Sequence, residues 1–245
     1  MRVGRWLPST RSLVVGCGLL ALAGGAYGAA RETSAFAVDR IQVAGASAPV
    51  RDQVRHSVAP LRGTSLLALD GAALIRRVEG LPTVVAAGYD RAFPHTLRIT
   101  VVPERPVAVV RQGSKAWLAS GRGRVMRPLA PHAAPNLPRI WIPRTTPVVV
   151  GGFLPADHAA AVARALALAR HFPAHIMLAA LRGNGLLFRL RSGLEVRLGE
   201  PTDIRLKLAI AAHALHALPA GTAYVDVSVP GRPVAGNNSQ LSGRD

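Results

Sequence analysis

The residues that could do chemistry are few in this chain of 245 residues, and their spacing does not predict an active site. His213 and His216 lie three apart on a predicted helix and could share a metal ion. No third ligand lies nearby, which favours ordinary core or solvent-facing histidines. The single cysteine, Cys17, excludes both a disulfide within the chain and a thiolate cluster. We therefore expect no bound metal.

Known catalytic patterns are missing from the sequence as well. It contains no HExxH, GxSxG, P-loop or dinucleotide-binding motif, and its 13 carboxylates include no pair spaced for acid–base work. A Ser–His–Asp site could still be assembled by the fold, because such triads are not local in sequence. A secreted or membrane-anchored hydrolase therefore stays open as an alternative. We expect instead a protein that is not an enzyme and that has no cofactor and no small-molecule substrate.

The charge of the chain is strongly basic. Its formal charge is +17, and its 30 basic residues comprise 28 Arg and 2 Lys. Such a charge attracts polyanions, but a GC-rich genome also favours Arg over Lys. The arginines are scattered through every segment, and no aromatic residues are interleaved for base stacking. We expect no nucleic-acid partner, and an Arg-rich polyanion-binding protein remains a further alternative.

The N-terminal segment predicts an exported protein. Residues 12–30 carry no charge, and as a helix they would cover about 28 Å, close to the hydrocarbon thickness of a bilayer. Arg2, Arg5 and Arg11 precede this run, which predicts a cytoplasmic tail (residues 1–11), a transmembrane helix (12–30) and an extracytoplasmic remainder. A cleavable signal peptide is the alternative, because residues 26–30 include small residues of the kind that a signal peptidase prefers. Either version exports residues 31–245.

After a hinge at residues 31–35, residues 36–103 predict a small α+β unit with the order strand, helix, helix, strand, strand. A first strand covers residues 36–45, and a helix follows Ser47. Asp70 is a suitable N-cap for a second helix over residues 71–79. Residues 84–91 predict a strand, and Leu97, Ile99 and Val101 alternate with polar residues in the last one.

Residues 104–230 predict a second, β-rich unit. Short strands are expected at residues 107–111, 116–120 and 125–127, followed by an irregular proline-rich crossing at residues 128–147. Two helices (residues 155–171 and 202–218) enclose a hairpin at residues 185–198. A final strand covers residues 224–229, and residues 231–245 are expected to be a loose tail.

The final strand is the candidate binding site. It follows a helix and precedes the tail, which is typical of an edge strand, and such an edge can accept a partner strand through backbone hydrogen bonds. An ordinary interior strand is the alternative. The candidate protein-binding residues are Tyr224, Val225, Asp226, Val227, Ser228 and Val229.

Several stretches resemble the FtsQ/DivIB family of bacterial cell-division proteins, in the family's order along the chain. They begin with the strand pattern of Phe36, Val38, Ile41, Val43 and Gly45. The others lie at residues 63–70, 81–87, 91–101, 104–108, 117–125 and 224–236. The resemblance covers about residues 12–236.

This resemblance implies an α+β fold: an N-terminal transmembrane helix, a POTRA domain (βααββ), and a β-rich domain with an antiparallel sheet and two helices. It implies a single-pass divisome scaffold in the plasma membrane, placed at the division septum. The partners that it implies are FtsB-like and FtsL-like proteins and the septal wall synthase complex. The FtsB-like partner would add a strand at residues 224–229.

Overall fold

The chain divides into two units, Met1–Pro103 and Glu104–Asp245, in a computed structural model that describes residues 10–32, 34–130, 133, 135–156 and 158–237. Residues 1–9 of the predicted cytoplasmic tail lie outside the described residues. The same holds for residues 238–245 of the predicted C-terminal tail, for position 33 in the hinge and for position 157 near the start of a predicted helix. Each unit is described below by itself.

Helix α1 (Thr10–Glu32) contains the uncharged run that was predicted to cross a membrane. Large apolar side chains along it are exposed, among them Val14, Leu19, Leu20 and Leu22. Within the part of the chain that the structure describes, no helix has both the length and the apolar character needed to span a membrane.

The rest of the first unit is a three-stranded sheet with two helices. Its strands are β1 (Arg40–Ala44), β2 (Val84–Ala92) and β3 (Thr96–Pro103), in the spatial order β1-β3-β2. Strand β1 runs parallel to β3, and β2 runs antiparallel to it. The helices are α2 (Ala48–Val58) and α3 (Gly71–Glu79), with short 3-10 turns at Ser34–Phe36 and Ala59–Leu61. The predicted order of elements is confirmed.

Two local features explain why these elements form where they do. Leu97, Ile99 and Val101 in β3 are buried while the residues between them are exposed, which is the alternation of a strand with one covered face. Asp70 caps helix α3, because its Oδ1 accepts a hydrogen bond from the backbone N–H of Ala73 at 3.0 Å. That bond favours the ionised carboxylate and lowers the pKa of Asp70 below its ordinary value.

The predicted start of the first strand is wrong. Residues 34–36 form a 3-10 turn, and β1 begins only at Arg40. The N–H of Val38 donates to the carbonyl of Thr64, and the N–H of Gly63 donates to the carbonyl of Val38. The segment before β1 therefore pairs with the loop that precedes α3 instead of continuing along β3.

The second unit is built on a nine-stranded sheet. Its strands are β4 (Pro106–Gln112), β5 (Lys115–Ser120), β6 (Val125–Pro128), β7 (Arg139–Trp141), β8 (Ile176–Arg182), β9 (Gly185–Leu190), β10 (Glu195–Gly199), β11 (Tyr224–Asp226) and β12 (Val234–Gly236). The spatial order is β12-β11-β10-β9-β8-β7-β4-β5-β6. Helices α4 (Ala159–Leu168) and α5 (Ile204–Ala214) share one apolar core with the side chains on one face of the sheet.

The sheet is mixed, which corrects the expected antiparallel sheet. Strand β7 is parallel to β4 and β8, and β11 is parallel to β10, while the other pairings are antiparallel. The reason lies in the connections. Parallel neighbours need a crossover, and α4 connects β7 to β8 while α5 connects β10 to β11.

Other boundaries in this unit differ from the prediction. Strand β7 lies inside the stretch that was predicted to be irregular, β8 was not predicted, and β12 lies in the stretch that was expected to be loose. Both helices are shorter than predicted. Helix α5 begins after Asp203, whose left-handed backbone (φ 50°) separates it from the residues before it.

Two glycines of the first unit give a matched test of this fold. Gly45 and Gly63 both have positive φ (86° and 81°), but a Cβ at Gly45 would lie 2.3 Å from the carbonyl oxygen of Val101, whereas a Cβ at Gly63 would meet nothing within 4 Å. Gly63→Ala should cost only the left-handed conformation, about 1 kcal/mol. Gly45→Ala should cost clearly more, because β1 must also move away from β3.

Hydrogen exchange of the β1 and β3 amides in the full chain measures this difference, since faster exchange reports lower local stability. Equal acceleration in the two variants would contradict the close approach of Gly45 to β3.

Candidate functional site

The nine-stranded sheet has two rims, and the chain itself covers one of them. At the β6 rim the N–H of Val125 donates to the carbonyl of Gly152 at 2.9 Å, and the N–H of Gly151 donates back to the carbonyl of Val125 at 2.8 Å. Residues 151–154 therefore lie along β6 and use its backbone groups. At the other rim, β12 has β11 as its only neighbouring strand among the described residues.

The predicted binding residues, Tyr224 to Val229, do not form the outermost strand. Only Tyr224–Asp226 is a strand, β11, and it lies between β10 and β12. Val225 and Val227 are buried in the core that the helices cover. The N–H of Val227 donates to the carbonyl of Arg197 at 2.8 Å, so this amide is already used within the chain. The rim lies one strand further along the chain, and the role of these six residues in partner binding stays a prediction.

A side-chain turn ends β11 and returns the chain to the rim. The Oδ1 of Asp226 accepts hydrogen bonds from the N–H of Ser228 at 2.9 Å and from its hydroxyl at 2.6 Å. Aspartate stabilises turns in this way, by binding the backbone two residues further on. A second turn closes with the N–H of Arg232 donating to the carbonyl of Val229. The two turns let β12 run back antiparallel to β11.

An aromatic stack fixes β12 against the sheet. Tyr224 lies directly opposite Gly236 in the β11–β12 ladder. The guanidinium carbon of Arg197 lies 3.8 Å from the centre of the Tyr224 ring, and Arg197 is 3.6 Å from the fully buried carboxylate of Glu195. A Cβ at Gly236 would lie 2.7 Å from the Tyr224 ring. The ring therefore fits closely against β12 because this position has no side chain.

The hydrogen bonds of β11 determine which backbone groups face outward on β12. The N–H of Glu195 donates to the carbonyl of Ala223, and the N–H of Val227 donates to the carbonyl of Arg197, so the residues that flank β11 bond to β10, while the N–H of Ala223 donates to the carbonyl of Gly236 in β12. Tyr224 and Asp226 then face β12, opposite Gly236 and Val234. By the same alternation, the N–H and C=O of Ala235 point away from the sheet. The side chain of Val234 beside it is 54% exposed.

The histidines considered for a metal site lie elsewhere, at the end of α5 and beyond it. The Nδ1 of His216 lies 2.9 Å from the carbonyl of Ala212, a contact within the helical turn. The described part of the chain holds no group of three or more His, Cys, Asp or Glu placed to bind a metal ion.

Comparison with known proteins identifies a domain in the first unit and relates about half of the chain to a cell-division protein. Residues 36–104 match the family model for the POTRA domain, FtsQ-type. The chain is also 29% identical over 136 residues to the cell division protein FtsQ of Streptomyces venezuelae. This alignment covers 55% of the chain and 49% of the relative, so the chain matches about half of the relative's length.

Over these residues the chain is similar to the FtsQ/DivIB family.

The sequence prediction missed β12. Val234, Ala235 and Gly236 were noted as part of the resemblance but not as a strand, because alanine and glycine are poor strand formers and the strand has only three residues. The signal that could have revealed it was Gly236 itself, since a glycine opposite a tyrosine allows close packing of the ring.

Gly236 and Gly231 provide a test of the Tyr224 stack. Gly236→Ala should displace the Tyr224 ring and weaken the β11–β12 pairing by about 1 kcal/mol, the order of cost of forcing a side chain away from its preferred rotamer. Gly231→Ala is the control, because a Cβ there would meet nothing within 4 Å. Amide exchange in β12 should accelerate only in Gly236→Ala. If exchange in β12 were unchanged in that variant, the ring would not hold the rim strand.

Proposed function

We propose that this chain is a bacterial cell-division protein that acts by binding other proteins and not by catalysis. Its kinship with a protein named cell division protein FtsQ, together with its FtsQ-type POTRA domain, supports the cell-division role. The observation that carries the binding role is the position of β12, which has no strand on its outer side among the described residues. An unpaired strand edge is a ready template for an added strand.

The proposed partner is an FtsB-like protein that adds a strand to β12. The N–H and C=O of Ala235 would form the central pair of hydrogen bonds, and the exposed Val234 side chain would contact the partner on one face. A rim of three residues offers few hydrogen bonds, so side-chain contacts must supply much of the affinity. Val229 is exposed close to the rim in sequence and is suited to such a contact.

The residues first predicted to bind have a supporting place in this proposal. Tyr224 and Asp226 hold β12 in register, and Val225 and Val227 attach β11 to the core. Ser228 completes the turn that leads to the rim. Substitutions here would act through the position of β12, whereas substitutions in β12 would act on the partner directly.

The uncharged run in helix α1 is proposed to anchor the protein in the plasma membrane, with residues 1–11 in the cytoplasm and residues 31–245 outside, although no described helix has the length and apolar character of a membrane span. Support comes from the absence of charge between Arg11 and Arg31 and from the exposed valines and leucines along the helix. Basic residues precede this run with no acidic residue among them, which is the asymmetry expected of that orientation. In this arrangement the POTRA domain and the rim would help to gather FtsL-like proteins and the septal wall synthase complex.

Ala235→Pro tests the rim directly. Proline removes the outward N–H and adds a ring at the strand edge, while the inward hydrogen bonds of Val234 and Gly236 remain. We expect capture of an FtsB-like partner by the full-length protein to weaken about tenfold or more, since a lost partner bond leaves a polar group unpaired. In cells depleted of the native protein, the variant should also fail to restore septation.

Ala235→Ser is the matched control, because it keeps the backbone amide. It should bind the partner and restore septation as the native protein does. Exchange of the β11 amides should be the same in both variants, which confirms that the sheet remains intact. Undiminished capture by Ala235→Pro would exclude strand addition at β12. Normal septation in cells that are depleted of the native protein and carry no variant would contradict the cell-division role itself.

A further inference from the structure

The face of the nine-stranded sheet opposite the helices carries a second surface. Leu186, Phe188 and Val196 point to the face that α4 and α5 cover. Their neighbours in the alternation, among them Arg189 and Arg197, therefore point to the other face. We call this other face, from β7 to β10, the open face.

Exposed arginines lie in register across the open face. Arg139 of β7 pairs with Leu178 of β8, and Leu178 pairs with Arg189 of β9. The two arginines thus flank Leu178 at a separation of two strand spacings, about 10 Å. Both side chains are exposed, and neither forms an ion pair within the described residues. Arg182 is also exposed, at the end of β8.

An aromatic and apolar strip lies beside these arginines. Trp141 shares its face with Arg139, two residues along β7, and is 54% exposed. The guanidinium carbon of Arg111, on the neighbouring strand β4, lies 6.0 Å from the centre of the Trp141 ring. Leu178 and Ala180 of β8 are half-buried and form a low apolar floor.

Two acidic residues lie on the same face: Glu195 is opposite Arg189 in the β9–β10 ladder, and Asp226 is on β11. Glu195 is fully buried beside Arg197. Asp226 accepts two hydrogen bonds from Ser228. Among the described residues of β7, β8 and β9, the exposed charged residues are all basic, and Arg139 and Arg189 lie on either side of Leu178.

We propose that the open face binds an acidic polypeptide segment that also carries apolar side chains. Charge complementarity selects an acidic partner, and two arginines about 10 Å apart can each bind a carboxylate on either side of an apolar side chain seated over Leu178. Tryptophan and arginine are the residue types that most often dominate protein interfaces. The apolar floor and Trp141 favour a polypeptide over a purely hydrophilic polyanion. This surface is separate from the β12 rim and does not depend on strand addition there.

A binding experiment with matched charge changes tests the proposal. The probe is a fluorescein-labelled synthetic peptide with a leucine face flanked by glutamates, titrated with the full-length protein at low salt. The double variant Arg139→Gln/Arg189→Gln removes two positive charges from the open face. The control, Arg170→Gln/Arg205→Gln, removes two exposed charges at the end of α4 and on α5, and so has the same net charge.

The open-face double variant should bind the peptide about tenfold more weakly, and the control should lose less than about twofold. Trp141→Ala should weaken binding of the leucine-containing peptide and leave binding of a polyglutamate probe unchanged. Equal losses in the two double variants would show that net charge alone attracts the probe, and would overturn the proposal. Tighter binding of polyphosphate than of the peptide, or no effect of Trp141→Ala, would also overturn it.

Discussion

The parallel pairing of β10 and β11 is the constraint on which the binding half of this chain depends. Two hydrogen bonds bracket it, from Glu195 to Ala223 and from Val227 to Arg197. They place the C-terminal segment inside the sheet and consume the backbone groups of β11 on that side. Because an open sheet must end on some strand, this pairing shifts the unpaired edge to β12. One rim is covered by residues 151–154, and the other ends on three residues.

A rim this short would reconcile the proposed partner binding with solubility. A long, exposed strand edge would pair with copies of itself and aggregate, whereas a three-residue edge gives little backbone affinity to an arbitrary strand. Specific partners must then gain affinity from side-chain contacts around the edge. The stack of Arg197, Tyr224 and Gly236 serves this purpose by holding β12 in a fixed position. A preorganised rim loses less conformational entropy when a partner strand is added.

Sequence reasoning succeeded for strands with one buried face, because their apolar and polar residues alternate. It failed for strands that form only through pairing with distant strands. In β3 the alternation of Leu97, Ile99 and Val101 with polar residues was sufficient, and at α3 the cap by Asp70 was sufficient. Strand β7 was missed because its three residues lie among prolines and become a strand only through the neighbouring β4 and β8. Strand β12 was missed because Ala235 and Gly236 have low strand propensity and depend on Tyr224 for their place.

For the same reason, the sequence placed the candidate site on β11 and predicted it to be an edge strand, whereas the outermost described strand is β12. Hydrophobic alternation predicts a strand through Val225 and Val227, but it does not distinguish an edge strand from an interior strand. The decision between rim and interior rests on hydrogen bonds that no local pattern reveals, above all the one from Val227 to Arg197.

The most direct measurement of the central claim is residue-resolved amide exchange of the full-length protein with and without an FtsB-like partner. If a partner strand adds to the rim, exchange at the Ala235 amide slows on binding, while the Val227 amide, already bonded to Arg197, is unchanged. Unchanged exchange at Ala235 in a saturated complex would show that the partner binds elsewhere, and the account of β12 as a binding edge would be wrong.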